Sequence, residues 1–363
     1  MSSIWGKNVK ISIFGESHGK AIGVVIDGLP PGIELNLEDI SREMQRRMPG
    51  RSKISTPRKE GDKTEILSGF FNGKTTGTPL SSIIFNTDQR SRDYKSTKSI
   101  PRPGHADYTG HIRYSGFNDY RGGGHFSGRL TAPLVFAGAI AKQILSKNNI
   151  QVGSHIKKIG SIEDVPFNPV NIEPSLLKEL KDKDFCVIDD VIGEKMKEHI
   201  LGIKEERDSV GGVIEGAVIN LPEGIGSPFF NSAESKLSQI LFSIPGIKGV
   251  EFGAGFDITE MKGSEANDEL YIEGYKIRSY SNNNGGILGG ITNGMPIIFR
   301  VAIKPTPSIG KSQRTVDISK DINTRIETEG RHDPCIVPRA IPVIEAACAI
   351  ALLDLIMEKD GLL

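Results

Sequence analysis

The sequence predicts a mixed α and β fold in which two long apolar helices lie at the centre of a duplicated layout. The helical runs are residues 130–145 and 340–357, and both are apolar over most of their length. Each run follows strand-like segments, a short amphipathic helix and a turn rich in Gly, Arg and His. These turns are residues 124–129 and 330–334, although sequence identity between the halves is too low to define a repeat.

Alternating apolar and polar residues predict the strands. The predicted strands are residues 9–14, 21–26, 80–85, 150–159, 212–221, 249–256 and 296–303. Helical spacing predicts a helix over residues 37–48, capped by Asn36, with Leu37 on its apolar face. A short amphipathic helix is predicted over residues 235–242. The charged residues 163–207 indicate a peripheral helical insertion.

Composition excludes several classes of protein. Lys plus Arg equals Asp plus Glu, at 45 each, and aromatic residues make up 6%. These values argue against a basic nucleic-acid-binding module with an aromatic platform. The three cysteines have no CxxC spacing, which argues against zinc and fits a reducing compartment. They are Cys186, Cys335 and Cys348.

No signal-peptide pattern is present at the N-terminus, and we expect a soluble cytoplasmic protein. The run 340–357 approaches the length of a membrane span, but Pro342, Glu345 and Asp354 interrupt it. We therefore expect a buried core helix there.

Familiar nucleotide and metal motifs fail on their spacing. Residues 68–75 end like a P-loop, but that motif needs a glycine five residues before Gly73, and the chain has Ser68 there. The run Gly122-Gly123-Gly124 is not preceded by a clear strand, which weakens a dinucleotide-binding interpretation. HxH and HExxH spacings are absent from the sequence, so no metal site is predicted, and no hydrolase elbow is predicted either.

Histidines and arginines cluster in loops framed by Gly or Pro. The histidines are His18, His105, His125 and His332, and the arginines are Arg47, Arg102, Arg129 and Arg331. Loop arginines with loop histidines predict a polyanionic substrate and proton transfer, because Arg binds carboxylate and phosphate while His exchanges protons near neutral pH. We expect His18 to be accessible rather than packed. The other histidines, His111, His155 and His199, are predicted to be surface or packing residues.

Two further loops allow more than one interpretation. Residues 304–308 offer a cation and hydroxyls in a stiff frame, which suits a phosphate, and residues 281–290 fit simple turn chemistry. The turn 330–335 precedes an apolar helix. A helix start favours anions, so we expect this turn to be half of an anion-binding catalytic site.

Five motifs, in order and at matching spacing, resemble those of the chorismate synthase family over essentially the whole chain. They are residues 15–19 with 23–28, residues 86–91, residues 102–107, residues 124–131, and residues 331–335 with Glu345. Two positions depart from the family pattern. His125-Phe126 stands where many members have Arg-Ser, and Pro245-Gly246 replaces a common Asn-Ala pair.

The resemblance implies an α+β fold, a β-α-β sandwich with internal pseudo-symmetry and long central helices between antiparallel sheets. It implies one large domain with pseudo-repeats at about 1–150 and 205–363, a peripheral insertion at 160–207, and a homotetramer. The implied reaction is the 1,4-elimination of phosphate from 5-enolpyruvylshikimate 3-phosphate to chorismate. This reaction requires reduced FMN without net redox change. The alternative is a flavin-dependent reductase of a small phosphorylated or carboxylated molecule.

The resemblance also implies roles for individual residues. His18 would protonate the reduced flavin, His105 would stabilise or protonate the leaving phosphate, and Asp333 with Ser17 and Ser127 would assist proton removal. The implied flavin contacts are His125, Phe126, Ser127, Gly289, Lys304, Pro305, Thr306, Pro307, Ser308, Arg331, Arg47 and Lys53. Arg47, Arg129 and Arg331 would bind the substrate anions. An external flavin reductase, with NADPH as the ultimate reductant, is expected. Metal, nucleic acid and membrane are not.

Overall fold

The computed structural model describes residues 3–50, 54, 61–87, 98–328 and 333–360, and the structural statements below refer to these residues. The helices are α1 (Leu37–Arg47), α2 (Asp107–Arg113), α3 (Thr131–Ser146), α4 (Pro174–Asp182), α5 (Asp190–Glu205), α6 (Ala233–Ser243), α7 (Gly263–Ala266) and α8 (Val337–Asp360). The strands are β1 (Ile4–Trp5), β2 (Lys10–Gly15), β3 (Ala21–Asp27), β4 (Thr64–Ser68), β5 (Phe70–Phe71), β6 (Lys74–Thr75), β7 (Leu80–Phe85), β8 (Gln151–Ile159), β9 (Ile162–Glu163), β10 (Gly212–Ile219), β11 (Ile247–Phe252), β12 (Leu270–Glu273), β13 (Lys276–Ser279), β14 (Ile287–Leu288), β15 (Ile291–Thr292), β16 (Ile297–Ile303), β17 (Gln313–Asp317) and β18 (Ile322–Ile326).

Two five-stranded antiparallel sheets enclose a layer of helices. One sheet has the order β1-β2-β3-β7-β4 and the other β11-β16-β10-β8-β9. Helix α3 packs on the first sheet through β2, β3 and β7, whereas α8 packs on the second through β8 and β10. The two helices also pack against each other along their length. The predicted β-α-β sandwich with long central helices is confirmed.

The two halves repeat one topology. In the first, two paired strands (β2, β3) precede α1, two more strands (β4, β7) follow it, and α3 closes the unit. The second runs β8, β10, α6, β11, β16 and α8. In both sheets the fourth strand inserts between the second and third, giving β2-β3-β7-β4 and β8-β10-β16-β11. The predicted pseudo-symmetry is therefore present in strand order, although sequence identity between the two halves is too low to define a repeat.

Local sequence signals predicted most of the helices and strands, but two details of the structure differ from the prediction. Asn36 caps α1 by accepting hydrogen bonds from the N–H groups of Glu38 and Asp39. Leu37, expected on the apolar face, is 47% exposed, because the first turn of α1 lies at the surface. The strand expected over residues 249–256 ends at Phe252, since Gly253 takes a left-handed conformation that turns the chain.

The segment that resembles a P-loop forms a hairpin, which the sequence did not predict. Strands β5 and β6 pair across Asn72 and Gly73, whose φ angles of 48° and 79° are those of a tight hairpin turn. Residues 163–207 include α4 and α5, so the insertion is helical as expected. The three cysteines are buried and free of disulfides.

The central helices meet at a glycine. A Cβ on Gly138 of α3 would lie 2.2 Å from the Cβ and 2.3 Å from the Cα of Ala346 on α8. The segment Val337–Lys359 of α8 is apolar and long enough to cross a membrane, but its apolar window is completely buried inside the fold. It is the core helix that the sequence predicts.

A buried ion network ties three helices together near the site. The Glu345 carboxylate accepts hydrogen bonds from Arg46 Nη1 at 2.6 Å, from Lys142 Nζ at 2.5 Å and from Ser154 Oγ at 3.0 Å. Burial raises the pKa of Glu345, but Arg46 and Lys142 outweigh it and hold the pKa below its ordinary value. Because Arg46 comes from α1, Lys142 from α3 and Glu345 from α8, the network fixes the end of α1 where Arg47 follows.

Replacement of Gly138 by Ala tests the close approach of α3 and α8. The added methyl overpacks the interface, and such overpacking costs about 1–3 kcal/mol. The matched control is Gly202→Ala in α5, where a Cβ meets nothing within 4 Å and helix propensity predicts a gain of up to about 1 kcal/mol. Urea unfolding of both variants measures the difference. Equal effects would show that the contact does not limit the packing.

Candidate active site

Three consecutive glycines form the surface on which two predicted catalytic histidines lie. Gly122, Gly123 and Gly124 have φ angles of 61°, 92° and 53°, a left-handed region that L side chains rarely adopt. A Cβ on Gly122 would lie 2.0 Å from His18 Nδ1, and a Cβ on Gly123 would lie 3.1 Å from His105 Nε2. The turn thus brings both imidazoles to adjacent backbone positions.

The loop that carries His18 is hydrogen-bonded to Gly124 of the glycine turn and to the preceding Arg121. Ser17 N–H donates to the Gly124 carbonyl at 3.1 Å, and Ser17 Oγ donates to the Arg121 carbonyl at 3.2 Å. Ser17 Oγ also lies 3.2 Å from His18 Nδ1. His18 is 6% exposed, so the expectation of an accessible, unpacked side chain was wrong. The ring packs because Gly122 has no side chain to exclude it.

His105 lies in a cluster of fixed charges. Its Nδ1 is 2.6 Å from Asp107 Oδ1, and Arg102 Nη2 lies 3.1 Å from Nδ1 and 3.3 Å from Nε2. Burial lowers the pKa of His105, Arg102 and Lys304 lower it further, and Asp107 opposes them. The net pKa lies below the ordinary value, so a second negative charge near His105 would favour the imidazolium form.

The stiff segment 304–308 meets this cluster directly. Lys304 Nζ donates to the Gly104 carbonyl, and Arg102 Nη1 donates to Ser308 Oγ at 3.0 Å. A Cβ on Gly104 would lie 3.5 Å from the Cβ of Pro307. Thr306 Oγ1 is buried without a hydrogen-bond partner among the described residues. The segment therefore adds a cation and hydroxyls beside His105, and Pro305 lies in the same stretch.

One buried carboxylate joins Arg47 and Arg129, two of the three arginines predicted to bind substrate. Asp62 accepts a hydrogen bond from Arg47 Nη1 at 2.5 Å and another from Arg129 Nη1, and its side chain is fully buried. Arg47 Nε also donates to Thr131 Oγ1, while Arg129 Nε donates to Asn86 Oδ1, both at 3.0 Å. Burial raises the pKa of Asp62, but Arg47 and Arg129 outweigh it and lower the pKa overall.

Arg339 connects Asp333 to Arg47 of this arginine pair. Its Oδ2 accepts a hydrogen bond from Arg339 Nη1 at 2.5 Å, and Arg339 Nε donates to the backbone carbonyl of Arg47 at 3.2 Å. Ser127 contacts both Arg129 and the glycine turn: its Oγ accepts a hydrogen bond from the Arg129 backbone N–H at 3.2 Å, and its Cβ faces Gly123.

The structure gives His125 and Phe126 packing contacts. His125 Nδ1 donates to the Gly15 carbonyl at 2.8 Å, and its Nε2 lies 2.9 Å from Ser3 Oγ. Phe126 fills the space above Gly110, where a Cβ would lie 2.6 Å from its ring. These contacts hold the glycine turn against β2 and α2. Flavin binding by the two residues stays a prediction.

Gly289 lies away from the other predicted site residues within one chain. It occupies the turn between β14 and β15, whose Thr292 pairs with Gly224. Gly224 lies beside Lys359 near the C-terminal end of α8. Arg339, in contrast, meets the site from the first turn of the same helix, about 30 Å away at 1.5 Å per residue. Lys53 and Arg331, the remaining predicted contacts, lie outside the described residues, as does His332.

Sequence reasoning missed Asp62 and Arg339 as site residues. Asp62 stands in a polar loop and carries no local signal of burial. Arg339 does offer a signal, because a cation in the first turn of a helix opposes the helix dipole and needs a compensating partner. Asp333 is that partner. His155, expected at the surface or in packing, is fully buried between Asp164 and Glu215.

Asp62→Asn tests whether the carboxylate stabilises the arginine pair. Breaking a buried ion pair costs about 3–5 kcal/mol, so we expect a loss near that size at pH 7. Because the folded pKa of Asp62 is lowered, its contribution is present above the unfolded value of about 3.9 and is lost as pH falls through the folded pKa. The variant and the parent should therefore converge in acid.

Chemical unfolding between pH 3 and pH 7 measures this dependence. Asp39→Asn is the control, since Asp39 pairs with Arg42 on the exposed face of α1 and such pairs contribute about 0–1 kcal/mol. A pH-independent difference between Asp62→Asn and the parent would exclude a charge effect.

Known proteins similar to this chain agree over its whole length. The chorismate synthase family model matches residues 9–357. A chorismate synthase of Methanocaldococcus jannaschii is 50% identical over 370 residues, covering 99% of this chain and 97% of that protein. One from Thermococcus gammatolerans is 46% identical over 356 residues, covering 98% of each. A crystal structure of a chorismate synthase superposes with a TM-score of 0.77 at 32% identity, covering 99% of this chain and 94% of the other. The chain belongs to the chorismate synthase family.

Proposed function

We propose that this chain converts 5-enolpyruvylshikimate 3-phosphate to chorismate at the glycine turn 122–124, by 1,4-elimination of phosphate. Family membership and the named relatives support the lyase activity. The observation that carries the location is the placement of His18 and His105 on adjacent glycines, with Arg102 and Lys304 beside His105 and the Ser17 hydroxyl beside His18. An elimination needs both an acid at the leaving group and a route for the proton that leaves the ring.

The His105 side suits the leaving phosphate. Negative charge develops on the phosphate as the C–O bond breaks, and preorganised cations stabilise it best in a site that excludes water. Arg102 and Lys304 supply that charge at fixed positions. Burial and the nearby Lys248 lower the pKa of Lys304, so an anion there would find a partly desolvated cation. His105, once protonated, would donate to the leaving oxygen.

The family implies a requirement for reduced flavin, and the residues present fit reduced FMN. Thr306 Oγ1 is buried with no partner among the described residues, and Lys304 and Ser308 flank it with a cation and a hydroxyl. Such donors suit a phosphoryl or ring carbonyl oxygen. We propose that residues 304–308, with Ser127, Arg47, Arg331 and Lys53, hold this group. When bound, reduced FMN supplies electron density that the elimination uses without consuming it.

The His18 side handles protons in this proposal. Ser17 Oγ, 3.2 Å from His18 Nδ1, fixes the ring and gives it a hydroxyl neighbour. His18 would protonate the reduced flavin. Asp333, held by Arg339, would assist with Ser17 and Ser127 in removing the ring proton. Because His18 is buried, bulk water does not compete for the proton that His18 exchanges.

The two arginines joined by Asp62 would bind the substrate anions. Arg47 and Arg129 are held by one carboxylate, so their guanidinium planes are oriented before ligand arrives. Arginine forms paired hydrogen bonds with carboxylates when its plane is fixed in this way. Arg331, which lies outside the described residues, would join them.

We further propose the setting in which this site works. The chain acts as one domain of two pseudo-repeats within a cytoplasmic homotetramer. An external flavin reductase, drawing on NADPH, supplies reduced FMN. Equal numbers of acidic and basic residues support action on a small anion rather than on nucleic acid, and burial of α8 supports action away from a membrane.

An anaerobic assay with 5-enolpyruvylshikimate 3-phosphate and photoreduced FMN tests the reaction. We expect chorismate and phosphate in equal amounts over many turnovers per flavin. Consumption of one reduced flavin per turnover would favour the reductase alternative. Absence of phosphate release would contradict the proposal.

His105→Ala should lower turnover roughly 10²–10⁴-fold, the range for loss of a general acid or base. His111→Ala is the control, because His111 lies on α2 outside the glycine turn and no role is proposed for it. Steady-state phosphate release under anaerobic conditions gives both rates. An unchanged rate for His105→Ala would remove His105 from the mechanism.

Gly122→Ala should abolish most activity while the protein stays folded, because the added methyl displaces the His18 ring. Gly274→Ala is matched to it: Gly274 has a φ of 63°, close to the 61° of Gly122, but a Cβ there meets nothing within 4 Å. Backbone strain alone would therefore affect both variants equally. Turnover and the thermal unfolding temperature are measured for both variants and compared with those of the parent. Equal turnover in the two variants would show that the His18 contact is not needed.

A further inference from the structure

We propose that Asp107 is a positioning residue that fixes the orientation and protonated nitrogen of His105. The inference rests on the proposed function, in which His105 acts on the leaving phosphate. Asp107 is outside the catalytic and binding residues of that proposed function. Asp107 Oδ1 lies 2.6 Å from His105 Nδ1, and the Asp107 side chain is only 5% exposed. Such a short buried contact holds the ring in one rotamer.

The contact also decides which ring nitrogen exchanges its proton. An ionised carboxylate accepts hydrogen bonds and cannot donate them. Burial raises the pKa of Asp107, but hydrogen bonds from Arg102 and His105 outweigh it and keep the group ionised. His105 Nδ1 therefore carries a proton in either charge state. The remaining nitrogen, Nε2, lies on the edge that faces Gly123, on the turn shared with His18.

Arg102 fixes the orientation of the Asp107 carboxylate with three hydrogen bonds. Its Nε donates to Oδ2 at 2.7 Å, its Nη2 donates to Oδ1 at 2.8 Å, and its backbone N–H donates to Oδ2 at 3.0 Å. The other guanidinium nitrogen, Nη1, donates to Ser308 Oγ. Arg102 thus holds Asp107 and is itself held by Ser308 of segment 304–308. A clamped carboxylate transmits its orientation to the imidazole.

The negative charge of Asp107 also affects the protonation of His105. The charged groups that face His105 are Arg102 and Asp107 from its own loop and Lys304 from the segment after β16. Arg102 and Lys304 disfavour the imidazolium, and Asp107 alone of the three favours it. A general acid must hold its proton before the reaction. Asp107 therefore offsets the cations that the leaving phosphate requires.

The proton path then balances. The C–O bond to phosphate breaks with its electron pair on oxygen, while the electron pair of the C–H bond that loses the substrate proton enters the new conjugated double bonds. The His105 proton passes from Nε2 to the phosphate oxygen, and the imidazole is left neutral with its remaining proton on Nδ1. Asp107 does not itself take up a proton. Its contribution is orientation and charge, as in other carboxylate–histidine pairs.

Asp107→Asn removes the charge and keeps the shape. We expect kcat to fall roughly 10²-fold, the low end for loss of acid catalysis, with KM little changed. Because loss of the carboxylate lowers the pKa of His105, the basic limb of the kcat–pH profile should move to lower pH. Asp107→Glu, which restores a carboxylate, should recover part of kcat and move the limb back.

Two comparisons separate this role from loop folding and from failure of the proposed function. Asp268→Asn is the control, because Asp268 also accepts several hydrogen bonds in a turn, from Ser281, Asn283 and Asn284. It should leave the kcat–pH profile unchanged. The double variant Asp107→Asn with His105→Ala should be no slower than His105→Ala alone if Asp107 acts through His105.

Each outcome decides one point. If His105→Ala is inactive and Asp107→Asn keeps the parental kcat and pH profile, the positioning role is wrong and the proposed function stands. If Asp107→Asn slows the His105→Ala background by its full factor, Asp107 acts elsewhere and the inference fails. If His105→Ala keeps full activity, the failure lies in the proposed role of His105.

Discussion

The left-handed conformation of residues 122–124 is the constraint on which the site depends. Non-glycine residues adopt this conformation at a cost, and three in succession would need a compensating interaction at every position. The absence of side chains then serves a second purpose, because His18 and His105 approach the backbone where a Cβ would stand. Both the backbone conformation and the lack of space for a Cβ therefore require glycine at these positions. The His18 loop, the His105 loop and the start of α3 all take their positions from this turn.

The cations of the site are held by carboxylates before any ligand is present. Asp62 joins Arg47 to Arg129, Asp107 clamps Arg102, and Asp333 binds Arg339. Each carboxylate lowers the electrostatic cost of burying a cation and fixes the direction of the cation's remaining donors. Fixed donors need little reorganisation when charge develops on a substrate. The arrangement therefore favours orientation over the flexibility that solvated arginines would have.

The sequence predicted the layers of the fold because hydrophobic periodicity is local. Residues 130–145 and 340–357 showed two core helices, and Asn36 marked a helix start correctly. Strand order was not visible, since the insertion of β7 beside β3 depends on contacts distant in sequence. At the site, motif residues such as His18 and His105 were found from their loops, but the burial of His18 depends on Gly122, more than a hundred positions away. Asp62 was missed for the same reason.

The duplicated topology has an electrostatic consequence. Helices α3 and α8 occupy equivalent places in the two halves, and the first turn of each touches Arg47: Thr131 of α3 at its side chain and Arg339 of α8 at its carbonyl. Two helix N-termini, each equivalent to about half a positive charge, therefore converge on one point. Like poles placed together repel, and buried carboxylates offset this within the fold. In a molecule with no formal net charge, two helix N-termini therefore add positive potential beside Arg47, where a polyanion would be stabilised.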